Sequence, residues 1–149
     1  MMLCDHAAVA EGKLYISGGG WTQTGPAPSP SAIAMLIDVP WDETNMPLSF
    51  DLSLHGEDGQ PVMQQGPMGL VPIEVAGEFE VGRPVGVAQG TPITVPLAIN
   101  VQSIPLAPGQ RFVWELRVGG RTEQDWRLAF STRQAPPQSS DPTRLPPLT

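Results

Sequence analysis

Residues 111–130 read RFVWELRVGGRTEQDWRLAF, and their spacing decides the fold class. Phe112, Trp114, Leu116 and Val118 alternate with Arg111, Val113, Glu115 and Arg117, and Trp126, Leu128 and Phe130 alternate with Asp125, Arg127 and Ala129. A period of two belongs to a strand with one buried face, whereas a helix would repeat every three to four residues. Gly119-Gly120 between the two runs predicts a β-hairpin, with a loop that can extend to Glu123.

The same period recurs outward from this pair. Leu48, Phe50, Leu52 and Leu54 form one alternating face, Val95, Leu97, Ile99 and Val101 another, and Ile73, Val75, Phe79 and Val81 a third. Residues 33–39, IAMLIDV, are apolar on both faces and predict a central strand. Turn signals separate these runs: Ala10-Glu11-Gly12, Gly25-Pro26, Gly56 to Pro61, Gly66-Pro67, Gly90 to Pro92 and Pro108-Gly109. Eighteen prolines and sixteen glycines spread along the chain break long helices, leaving single turns within Asp5 to Ala10 and around Trp41 to Asn45 as the helical candidates. The expected fold is all-β: one β-sandwich, immunoglobulin-like or jelly-roll-like, of about seven to nine mostly antiparallel strands over residues 1–133. A small open β-barrel is the alternative. Residues 134–149, QAPPQSSDPTRLPPLT, are expected to form a proline-rich extended or disordered tail.

The 149 residues have the length of one domain with its own core. Cys4 is the single cysteine, so no intrachain disulfide can form, and a cytoplasmic location is expected. The N-terminal MMLCDHAAVAEGK lacks the charged and apolar regions of a secretory signal, and no apolar run approaches the roughly 20 residues that cross a bilayer. A net charge of −7 argues against nucleic-acid and anionic-membrane partners, which require clustered cations. The charge is uneven: eleven acidic residues and Lys13 in residues 1–82 give −10, and four acidic residues with seven arginines in residues 83–149 give +3. Either the halves neutralise each other within one sheet, or the basic half presents an interaction face.

Few chemistries find a motif. The stretch YISGGGWTQT, residues 15–24, has the glycines of a phosphate loop but no following Lys and no helix, so Gly18 to Gly20 predict a bulge or bend with Trp21 folded back over the core. Cys4 and His6, two apart on a strand, would share a side and make a Cys/His pair geometrically feasible; the alternative is a buried, inert thiol. A metal site would need His6, His55, Glu57 and Asp58 to converge, and HGEDG reads more simply as an exposed turn, so no cofactor or metal is expected. No G-x-S-x-G elbow occurs, and the fifteen acidic residues single out no catalytic pair. Trp21 and Trp41 lie near turns, where an indole either stacks on a sugar or grips a partner, or else closes an end of the core; Trp114 and Trp126 belong to the core pattern. Arg144 to Thr149, RLPPLT, has the form of a polyproline recognition peptide, or is simply a loose end.

DHAAVAEGKLYISGGGW, VPWDETN, EDGQPV and PGQRFVWELRVGG together resemble a family of small hypothetical proteins carrying a domain of unknown function and common in high-GC bacteria. The resemblance spans residues 1 to about 133 and implies a compact all-β domain without an assigned site. The functional expectation is a non-enzymatic binding or scaffold module acting through protein–protein contact, with Arg117 and Arg127 meeting the acidic surface of a second copy in a homodimer. The alternatives are a small-ligand or carbohydrate binder using Trp21 or Trp41, and an enzyme using Cys4 with His6 or a carboxylate pair.

Overall fold

The computed structural model describes residues 1–137; the predicted tail from 138 onward, RLPPLT included, lies outside the described residues. Twelve strands run in chain order: β1 Met2–Cys4, β2 His6–Ala10, β3 Lys13–Ser17, β4 Gln23–Thr24, β5 Ser31–Val39, β6 Pro47–Gly56, β7 Met63–Gly66, β8 Gly69–Pro72, β9 Glu74–Glu80, β10 Ile93–Val101, β11 Arg111–Val118 and β12 Arg127–Thr132. Eight of them make two principal sheets, ordered β1-β5-β10 and β4-β12-β11-β6-β9, and neither closes into a barrel. All strand pairs are antiparallel except β12 with β4. The fold is all-β, and its two layers make it a sandwich.

Alternation explains which faces meet. Phe50, Leu52 and Leu54 of β6 and Phe112, Trp114, Leu116 and Val118 of β11 turn inward, where they join Leu3, Ile33 and Met35 of the three-stranded sheet in one cluster. Trp114 is buried and Trp126 packs half-buried against the same cluster, as their spacing predicts. The stretch IAMLIDV is the middle strand of the smaller sheet and is apolar on both faces for a specific reason. Ile33 and Met35 face the sandwich core, while Ala32 and Ala34 face outward and, with Cys4, are covered by the β2–β3 hairpin through Ala7 and Leu14. Small residues let this third layer approach closely. The Asn100 side chain fastens it: Nδ2 donates to the Ala7 carbonyl at 2.8 Å, and Oδ1 accepts from the Ala7 N–H at 3.3 Å.

The helical turn expected within Asp5 to Ala10 is instead strand β2. Glu11 and Gly12, both with positive φ (51° and 69°), form a two-residue turn of the kind that matches strand twist, so pairing with β3 overrides local preference. The second candidate is a short 3₁₀ turn, Trp41–Glu43. Gly18 and Gly20 have φ of 60° and 86° and make the expected bend; a Cβ on Gly18 would meet the Asp5 carboxylate. The β11–β12 hairpin turns on Gly119 and Gly120, with φ of 58° and 77°, and its loop continues to Trp126. Between β6 and β9 the chain throws out a separate hairpin, β7–β8, whose Met68 is fully exposed and Leu70 66% exposed. No residue from Pro61 to Ile73 carries a charge.

Candidate functional site

Trp21 and Trp41 are both engaged by their own chain. Trp21 is half-buried, its ring edge-on to Phe130 at 5.9 Å between centroids and 88° between planes, and it packs against the main core. The void beneath it, of about 40 Å³, has room for little more than water. Its indole N–H is buried without an acceptor among the described residues. Trp41 has the Arg83 guanidinium 4.1 Å above its ring centroid. That cation is fixed by two further bonds, Nε to Thr44 Oγ1 at 2.6 Å and an NH2 to the Trp41 carbonyl at 2.8 Å. One face of the indole is thus occupied by a cation–π contact.

The expected sharing of a side by Cys4 and His6 is not what the structure shows. Asp5 sits in a bend, its N–H donating to the carbonyls of Ser17 and Gly18 at 3.0 and 3.2 Å, and the interruption resets the alternation. Cys4 is completely buried and His6 exposed. The Cys4 thiol donates to the Ala32 carbonyl at 3.5 Å. Burial pushes its pKa up and the negative charge of Asp5 adds to this, although a backbone hydrogen bond at Ala34 pulls the other way. A cysteine nucleophile needs the opposite environment. Ser53 Oγ lies 2.8 Å from His55 Nε2 across the outer face of β6, while Glu57 and Asp58 sit in the turn beyond. Among the described residues no three His, Cys, Asp or Glu side chains come together as metal ligands.

Arg117 and Arg127 stand on the solvent-facing side of the five-stranded sheet. Each donates to Glu115, with nitrogen–oxygen distances of 3.2 and 3.0 Å, and each side chain remains about half exposed (49% and 51%). The register aligns Glu74, Ser53, Glu115 and Arg127 in one row across β9, β6, β11 and β12, and Ala76, Asp51 and Arg117 in the next. Acids therefore concentrate at the β9 side, with Glu78 and Glu80 further along that strand, and arginines at the β11–β12 side. The rest of the face carries Ser49, Asp51, Ser53 and His55 on β6, Val113 on β11, and Ala129 and Ser131 on β12. The two halves of the sequence also neutralise each other in part, through Arg121 with Glu43 at 2.8 Å and Arg111 with Glu57 at 3.8 Å.

One feature has no counterpart in the sequence motifs. At the end of the sandwich where β5 leaves for the 3₁₀ turn, the two sheets part around a cleft of about 360 Å³. Its walls are Met35, Ile37 and Val39 from β5 with Leu48, Leu116, Val118 and Trp126 from the opposite layer. Asp38, Glu43, Glu123, Asp125 and Arg121 also line it. Strand β5 pairs with β10 over its whole length and with β1 at Ala32–Ala34, and Met1, ahead of β1, also lines the cleft. Which side chains the two layers bring to this cleft depends on topology, and periodicity alone does not carry it.

The chain belongs to the family of unknown function DUF6941, whose model matches residues 1–131. No curated protein and no solved structure matches it.

Proposed function

Because membership of this family assigns no activity, we propose from the surface itself that the domain is a non-enzymatic contact module whose partner face is the solvent side of the five-stranded sheet. The observation that carries this reading is the gradient of charge across that face, from Glu74, Glu78 and Glu80 on β9 to Arg117 and Arg127 on β11 and β12. A two-fold axis lying in the plane of the face, parallel to its strands, lays one copy's acidic side over the other's arginines, which makes the surface self-complementary and the assembly a homodimer. Glu115 does not exhaust either arginine, since a guanidinium has five N–H donors and half of each side chain is open to solvent. The small side chains between the charges let two sheets approach without ordering long chains.

Light scattering across concentration and NaCl tests it. The expected result is a dimer at low salt that dissociates as salt rises, and a monomer for the Arg117→Glu/Arg127→Glu double variant with an unchanged circular dichroism spectrum. Adding Glu74→Arg and Glu78→Arg to that variant restores the dimer. A monomeric wild type at low salt removes the reading.

A second reading is favoured by the indole N–H of Trp21, which has no acceptor among the described residues. Trp21 also borders a separate open groove of about 330 Å³ that Asp5, Gln23, Thr24, Ser29 and Arg133 line. Such a groove suits a small hydroxylated ligand bound by hydrogen bonds rather than by stacking. A glycan panel that shifts the indole emission of wild type but not of Trp21→Phe supports it.

A further inference from the structure

We propose that Ser53 is a covalent acceptor site: His55 activates its hydroxyl, which takes an acyl group from a small cationic ester or thioester. Two hydrogen bonds settle the roles. The Gly59 carbonyl, 3.2 Å from His55 Nδ1, can only accept, so Nδ1 carries the ring proton and Nε2 keeps its lone pair. That lone pair faces Ser53 Oγ at 2.8 Å, which makes the serine the donor and the imidazole its base. A nucleophile, a base and a group that orients the base are thus in contact, the arrangement by which a weak hydroxyl becomes reactive. Ser49, earlier on the same strand, and Ser131 on β12 share the face, and neither has a histidine partner among the described residues.

The charge of the donor follows from the register. Glu74 of β9 and Glu115 of β11 stand beside Ser53 in one row, and Asp51 comes next along the same side of β6. Arg117 and Arg127 both bind Glu115, whereas Asp51 and Glu74 pair with no cation among the described residues. An approach from the β9 side is therefore negative, and it favours a cation over an anion. Ser53 and His55 are each half-buried, so a small donor reaches them from solvent.

In the step itself Ser53 Oγ bonds to the thioester carbonyl carbon as its proton passes to His55 Nε2; the carbon–sulfur bond then breaks, and the departing thiolate takes that proton. The N–H groups of the adjoining turn do not assist. Gly56 donates to the Gln60 carbonyl, Gly59 to that of Gly56, and Gln60 to Asp58 Oδ1. With none of these aimed at the developing oxyanion, both the gain and the loss of the acyl group are slow, and the product is an acylated serine rather than a turnover catalyst. The site lies on the face assigned to the dimer but does not depend on that assembly.

The probe is S-acetylthiocholine, set against S-acetylmercaptoethanesulfonate, which carries the same acetyl group on an anionic thiol. The full chain is diluted until light scattering shows a monomer, so the face is open whatever the outcome for the dimer, and acetyl groups are located by peptide mapping in a mass spectrometer. Lys13, the single lysine, gives the background rate. With the choline thioester, acetylation of Ser53 is expected to exceed that of Ser49 about a hundredfold, and to exceed its own rate with the sulfonate thioester about tenfold. His55→Gln keeps a hydrogen-bonding side chain but cannot take up the proton; it should slow Ser53 about a hundredfold while the Lys13 rate and the circular dichroism spectrum stay as in wild type. Glu74→Gln should narrow the preference between the two thioesters. Ser53 modified no faster than Ser49, an undiminished rate in His55→Gln, or equal rates for the two thioesters overturns the proposal.

Discussion

Cys4 shows what one side chain can and cannot reveal before the chain is folded. Its burial, with His6 left exposed, follows the bend at Asp5, whose N–H meets Ser17 and Gly18 twelve and thirteen residues later. Spacing alone placed Cys4 and His6 on one side; hydrogen bonds from a distant segment undid that. The raised thiol pKa has a definite sign in stability. Below the unfolded-state value of about 8.5 the thiol is protonated in both states and the contribution is intact. As pH rises toward and through the higher folded value, the unfolded chain ionises first and the contribution is lost. Between pH of about 8 and 10 the thermal midpoint of the wild type should therefore fall more than that of Cys4→Ala, measured by circular dichroism at each pH. Equal slopes would show that the thiol does not titrate differently on folding. Gly18 was legible as a bend, and its φ of 60° is what disfavours a side chain there; its proximity to the Asp5 carboxylate was not legible.

At the scale of elements, the alternating runs 48–54, 95–101 and 112–118 became β6, β10 and β11 because each has one face in the core and enough length to show its period. Strand β2 escaped notice because its sequence, HAAVA, has small residues on both faces and lies against the outside of a sheet rather than within the main core. That hairpin is the element with the lightest attachment: Ala7, Leu14 and the Asn100 clamp hold it. Asn100→Ala removes both bonds to Ala7 and leaves a part-buried backbone N–H and C=O without them, at a cost of about 1–3 kcal/mol. Amides of β2 and β3 should then exchange with deuterium faster by an order of magnitude or more, while those of β6 and β11 change less. Uniform acceleration across all strands would mean that the hairpin and the sandwich open as one unit.

For the molecule as a whole, class and layer number could be read from periodicity, but the order of strands could not. The sandwich joins β1 to β5, β5 to β10 and β6 to both β9 and β11, so most of the ladder closes over long stretches of chain. Such topology fixes speed as well as shape: refolding followed by tryptophan fluorescence should have its main phase in about the millisecond-to-second range, and a microsecond phase of full amplitude would contradict it. The candidate surfaces were legible unequally. Arg117 and Arg127 could be assigned to one strand face from their offsets, whereas the cleft sets β5 against Leu48, Leu116, Val118 and Trp126, segments that only the fold brings together. The β7–β8 hairpin sits outside all of this, hydrogen-bonded mainly to itself and inserted where β6 and β9 would otherwise meet in a shorter turn. For protein engineering it is a natural graft point, a stalk whose tip at Pro67-Met68 can accept a foreign epitope or a reporter while the core keeps its register.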